Sequence, residues 1–191
     1  DAVKAWLENE CKVPYPRVSS QVDFNYFIEA GLEYLAGRNF KRIALVMNEP
    51  DEFSDYEGTI SEFCRNHSFP ENDIRIINCE PTREAGYEAV KNIYDSGFLP
   101  DSIVVGNDTA FKGALYRLLE TGVKIPEKTG VVAYSNKGID IFSHIPLTKL
   151  EVNPDDFVAN IYDELTAAIE GHPFEPKLVK PKLVIGKSCG E

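Results

Sequence analysis

Three short apolar runs punctuate a chain whose other apolar residues fall largely on helical spacing. Ile43-Ala44-Leu45-Val46, Ile103-Val104-Val105 and Val131-Val132-Ala133 are too brief for helices and suit buried strands, and Ile74 to Ile77, interrupted by Arg75, predicts another strand. Between them apolar residues return every three or four positions. Phe24, Ile28, Leu32 and Leu35 stripe one helix and a second spans about Tyr56 to Asn66. Ala85, Ala89, Val90 and Ile93 mark a third, Ala110, Ala114, Leu115 and Leu118 a fourth, and Phe157, Ile161, Leu165 and Ile169 a fifth. At the ends, Ala2 to Glu10 predicts a helix, Tyr15 to Ser20 a strand, and Leu183 to Ile185 a closing strand. Strands alternating with helices predict an α/β protein with a three-layer, doubly wound parallel sheet.

The stretch from Pro100 to Thr148 carries the densest signals. After Ile103-Val104-Val105 the chain turns at Gly106-Asn107-Asp108, where Asn107 or Asp108 is placed to accept hydrogen bonds from free backbone N–H groups and so cap the next helix. Gly122 stops that helix, Pro126 bars its return, and Val131 opens the next strand, giving one right-handed βαβ unit. Ligands of open α/β folds sit beyond the carboxyl ends of the strands. Three loops therefore form the candidate pocket: Asn48 to Asp55, Gly106 to Asp108, and Tyr134 to Gly138.

Composition narrows the partners. With 43% hydrophobic and 27% charged residues the chain is that of a globular protein. Its net charge of −11, without a basic stripe, argues against direct binding to a phosphate backbone. No apolar run approaches the ~20 residues that span a bilayer. The N-terminus lacks the pattern of a signal peptide, so a cytoplasmic or already processed chain is expected. Cys11, Cys64, Cys79 and Cys189 have no zinc-ligand spacing, so no metal is expected. His67, His144 and His172 stand apart without a patterned nucleophile or carboxylate, and no glycine-rich phosphate loop follows a strand. The expectation is a binding protein with no catalytic residues and no cofactor.

Several separated segments, in order, resemble the effector-binding domain of the LacI/GalR family of bacterial transcription regulators. Asn39 to Val46 is similar to that family's "GHRRIALI" strand, Glu84 to Val90 to its "GY.A" helix, and Gly106-Asn107-Asp108 with Gly113-Ala114-Leu115 to "AND…GAL". Gly122 to Pro126 resembles "G..VP", Val131 to Tyr134 "VVGYD", Pro146-Leu147-Thr148 "PPLTT", and Lys187-Ser188-Cys189 the closing "ESC".

The resemblance implies a two-lobed, type I periplasmic-binding-protein-like fold in which this chain starts late in the first lobe. Residues 1–23 would be a remnant of the N-terminal lobe and 24–150 the C-terminal lobe. Residues 151–180 would return to the first lobe and 181–191 close the second, with crossings near Val22, Val152 and Pro181. The helix of Phe157, Ile161 and Leu165 would then need cover, from Trp6 and Leu7 or from a second copy of the chain. The implied function is sensing a sugar-like effector between two lobes, with DNA bound only through an N-terminal headpiece absent from this chain. An exported sugar-binding protein of a transport system is the alternative.

Among pocket residues, Asn107 matches a family position that contacts effector, while Asp108 is expected mainly to cap. Ser135 stands where many members carry an effector-binding aspartate, and Asn136 follows it. Asp55 falls near a family arginine that grips ligand, with Asp51 beside it. That loop either disfavours anionic effectors or is simply a solvated acidic face. Tyr134, Phe53 and Tyr56 either stack on a sugar ring or pack within the lobe. Phe111, Ile141 and Phe142 are expected at a homodimer contact, with a loop tucked into its own core as the other reading.

Overall fold

The structure, a computed structural model, describes residues 20–139, 141, 143–170, 172 and 177–190. The expected helix over Ala2 to Glu10, nearly all of the expected strand over Tyr15 to Ser20, and Trp6, Leu7 and Phe142 lie outside them. Two compact units form, one from Asp1–Val22 with Pro154–Val179 and one from Asp23–Asn153 with Lys180–Glu191.

The larger unit is one six-stranded sheet with helices on both faces. In chain order it contains α1 (Phe24–Gly37), β2 (Ile43–Met47), α2 (Tyr56–His67), β3 (Ile74–Asn78), α3 (Arg83–Asp95), β4 (Ser102–Val105), α4 (Asp108–Glu120), β5 (Gly130–Asn136), β6 (Thr148–Val152) and β8 (Lys182–Val184). The strand order is β3-β2-β4-β5-β6-β8. Neighbours from β3 through β6 are parallel. The closing strand is not: β8 runs antiparallel to β6, pairing Leu150 with Leu183, and it spans Lys182–Val184 rather than reaching Ile185. The pattern also hid β6, whose Thr-Lys-Leu-Glu-Val alternation has no apolar run.

The central strands β2 and β4 and most of β5 are buried on both faces, as their unbroken runs require, whereas the edge strands β3 and β8 are partly exposed. On one face Phe27, Ile28, Leu32 and Leu35 of α1 and Phe63 of α2 pack on Ile43, Leu45, Val104 and Val132. On the other, Ala89, Val90 and Ile93 of α3 with Phe111, Ala114 and Leu118 of α4 pack on Ala44, Val46, Ile103 and Val131. At the amino ends Asp101 accepts from the backbone N–H groups of Lys41 and Arg42, at 2.7 and 3.0 Å, and so ties the entry of β2 to that of β4.

The tail is held as firmly. Ser188 Oγ donates to the Val131 carbonyl and accepts from Thr148 N–H, the latter at 2.8 Å. Cys189 Sγ also reaches the Val131 carbonyl, at 3.3 Å.

The smaller unit pairs β1 (Gln21–Val22) with β7 (Leu178–Val179) in parallel and contains α5 (Pro154–Glu170). Ile161, Leu165 and Ile169 are 37%, 47% and 85% exposed, so among the described residues little covers the stripe read from the sequence, and the expected cover, Trp6 and Leu7, lies outside them. The helix instead turns a different face inward, on which Glu164 is buried and Phe157, Asn160 and Ala167 are half-buried. Asn160 Nδ2 donates to Ser20 Oγ at 3.2 Å, a polar contact that helps to set this rotation.

Candidate functional site

The strand order reverses between β2 and β4. From β2 the chain passes outward through α2 to β3, then back through α3 to β4 on the other side of β2. In open α/β sheets the crevice beyond the carboxyl ends at such a reversal is where ligands bind. The residues that follow those ends are Asn48, after β2, and Gly106-Asn107, after β4.

Asn107 is the cap of α4. Its Oδ1 accepts from Thr109 and Ala110 N–H at 2.9 and 3.0 Å. Of the two candidate caps, Asn107 takes the role, and Asp108 is already the first helical residue. Because the cap is an amide, Asn107 Nδ2 stays free to donate. Ser135, near the end of β5, is 1% exposed, and its Oγ has no hydrogen-bond partner.

Tyr134 and Asn136 alternate with Ser135 and face the opposite side of the sheet. There the Tyr134 hydroxyl donates to Asn136 Oδ1 at 3.1 Å, and its ring lies 6.3 and 6.1 Å from Phe24 and Phe27. Burial, reinforced by the Asp108 carboxylate, raises the Tyr134 phenol above its ordinary pKa. Tyr134 is thus core-packed through most of its ring, one of the two readings left open.

The acidic loop after β2 is ordered by its own backbone. Asp51 Oδ1 accepts from Phe53 N–H at 3.0 Å, and Asp55 caps α2 by accepting from Gly58 N–H at 2.9 Å. The Asn25 side chain clasps the loop to α1, donating to the Phe53 carbonyl and accepting from Asp55 N–H. Tyr56 is not available for stacking, being 5% exposed. Burial and then the Asp51 and Glu49 carboxylates push its phenol up to about 12.

Phe111 fails as a dimer contact, since it is wholly buried under α4. A helix residue on the sheet-facing stripe cannot also face a partner. Ile141 is half-buried and packs against the same core, and the exposed apolar side chains of α4 are instead Tyr116 and Leu119, at 64% and 48%. A groove of about 510 Å³ runs between α3 and α4, lined by Arg83, Tyr87, Lys112 and Tyr116 among others. Sequence reasoning missed both this groove and Asn48 as an individual residue; Tyr116, an aromatic residue outside the apolar stripe of Ala110, Ala114, Leu115 and Leu118, was the available signal for the first. Among the described residues no cluster of His, Cys, Asp and Glu could hold a metal ion, and no helix is long and apolar enough to cross a membrane.

An open, doubly wound sheet with α1 and α2 on one face, α3 and α4 on the other and an antiparallel closing strand has the architecture of a periplasmic-binding-protein-like lobe. The chain belongs to the periplasmic binding protein-like domain family, whose model matches residues 32–189. Its relatives are LacI/GalR-family transcription regulators rather than enzymes, as the motifs suggested. It is 23% identical to the HTH-type transcriptional repressor MelR of Bacillus subtilis (strain 168), over 95% of this chain and 56% of that protein. A LacI family transcriptional regulator from Lactobacillus casei, solved with bound sucrose, shares the fold with a TM-score of 0.67 at 19% identity, over 87% of this chain and 64% of that one. The lac repressor dimer bound to operator and the anti-inducer ONPF gives 0.73 at 18%, over 90% and 52%. The chain therefore spans little more than half the length of these regulators.

Proposed function

We propose that this chain is the larger part of the effector-sensing portion of a LacI/GalR-type transcription regulator. It binds a small polar metabolite, a sugar or a related compound, beyond the carboxyl ends of β4 and β5. The observation that carries this reading is the buried, unpartnered Ser135 hydroxyl beside the free amide of the Asn107 cap, at the end of the sheet where such folds take ligands. A buried hydroxyl without a partner costs about 1 to 3 kcal/mol, and a ligand oxygen removes that cost.

Relatives named as HTH-type regulators favour a cytoplasmic sensor over an exported sugar-binding protein. In the sensor, effector binding changes the DNA affinity of a headpiece outside this sequence, with a coupling of about 1 to 3 kcal/mol. The protein acts as a homodimer, with Ile141 and the exposed Tyr116 surface of α4 as the contacts. The test is a thermal-shift screen of the full-length protein against sugars, polyols and nucleosides. A sugar or polyol well above its Kd raises the Tm; no rise across the panel contradicts the reading.

A further inference from the structure

The register of the sheet reveals a row of polar side chains that the individual loops do not. Ile43, Ser102 and Gly130 are cross-strand partners on β2, β4 and β5, and so are Val46, Val105 and Ala133. Two positions further on, the same register sets Asn48, Asn107 and Ser135 side by side on three neighbouring strand ends. Because side chains alternate, all three project to the face that carries Val46, Val105 and Ala133, under the start of α4. Asn107 has a conformation that continues the strand, with φ −147 and ψ 135.

Each of the three has hydrogen-bonding capacity left over. Asn48 Oδ1 is buried without a partner, Ser135 Oγ likewise, and Asn107 has spent only its oxygen. Adjacent strands lie about 4.8 Å apart, so the row offers an acceptor, a donor and a hydroxyl over about 10 Å. None of the three carries charge. The surrounding loops do: residues 48–55, 106–108 and 134–138 hold Glu49, Asp51, Glu52, Asp55 and Asp108 against the single cation Lys137. Arg83, at the start of α3, lines the outer groove between α3 and α4.

We propose that Asn48 is an effector-contacting, specificity-determining residue. With Asn107 and Ser135 it forms an uncharged row that selects a hydroxyl-bearing effector without a phosphate or carboxylate group. The proposal rests on the sensor reading above. Alternating hydroxyls of a saccharide or polyol donate to Asn48 Oδ1 and accept from Asn107 Nδ2, while an anion gains no cationic partner in the row and meets the acidic rim.

The experiment is calorimetric titration of the full-length protein with four probes: glucose, sucrose, a six-carbon polyol and glucose 6-phosphate. It is repeated on Asn48→Leu, which removes the amide, and on Asn48→Asp, which keeps its shape; unfolding midpoints without ligand check that both fold. The expected result is binding of an uncharged probe, weakened about tenfold or more by Asn48→Leu, with glucose 6-phosphate bound at least as weakly as glucose. Unchanged affinity in both folded variants means that water satisfies Asn48 and overturns its assignment. Tighter binding of the phosphorylated sugar overturns the effector class. Failure of every uncharged probe to bind the wild type overturns the underlying sensor reading instead.

Discussion

Asn107 serves the fold through its oxygen, which closes the first turn of α4, and leaves its amide N–H groups unspent for the effector proposed above. Asp in its place would keep the cap but lose the donor, and for that reason the identity of the cap matters. Asn107 and Ser135 could be named from the sequence because they fall in the Gly-Asn-Asp and strand-end segments that resemble the family. Asn48 could not be, since its meaning depends on strand order and register, which no local pattern displays. Nor could the sequence tell that Tyr56, one residue past the acidic loop, turns inward as the first residue of α2. Its phenol, raised from the ordinary 10.0 to about 12, gives a prediction at this scale. The fold favours the neutral phenol, so that stabilisation is complete below the unfolded pKa of about 10. It is lost as pH rises through the folded value. Stability measured by urea unfolding should therefore fall between pH 10 and 12 more steeply in the wild type than in Tyr56→Phe. Parallel curves would refute the shift.

Helices α3 and α4 owe their close packing to two glycines. A Cβ on Gly86 would strike the backbone of Ala110, and one on Gly113 the backbone of Arg83. Gly113→Ala should thus cost at least the ~1 to 3 kcal/mol of an overpacked core, read as a lower urea midpoint. Gly37, at the end of α1, has open space around it, and Gly37→Ala should leave the midpoint unchanged or slightly raised. Equal effects at the two sites would contradict this account of the helix contact. Gly86 and Gly113 lie in segments that carried the family resemblance, and so do Thr148 and Ser188, which tie the tail to β5 and β6. Much of what was recognisable in the sequence is therefore packing. The central strands were legible as short apolar runs, and the helices of the larger unit through their period of 3.6. Strand β6, half polar, and the direction of β8, set by where the tail attaches, were not.

At the scale of the whole molecule the larger unit has a complete two-faced core, whereas α5 of the smaller unit leaves Ile161, Tyr162, Leu165 and Ile169 open to solvent. The larger unit is thus where a self-sufficient site is expected, and the polar row at its switch point is the central claim. The most direct measurement is a crystal structure of the full-length protein with the uncharged saccharide that binds it. The account predicts the sugar beyond the ends of β2, β4 and β5, with hydroxyls within hydrogen-bonding distance of Asn48, Asn107 and Ser135. A saccharide seated elsewhere, such as in the groove between α3 and α4, with the row left untouched, would contradict it.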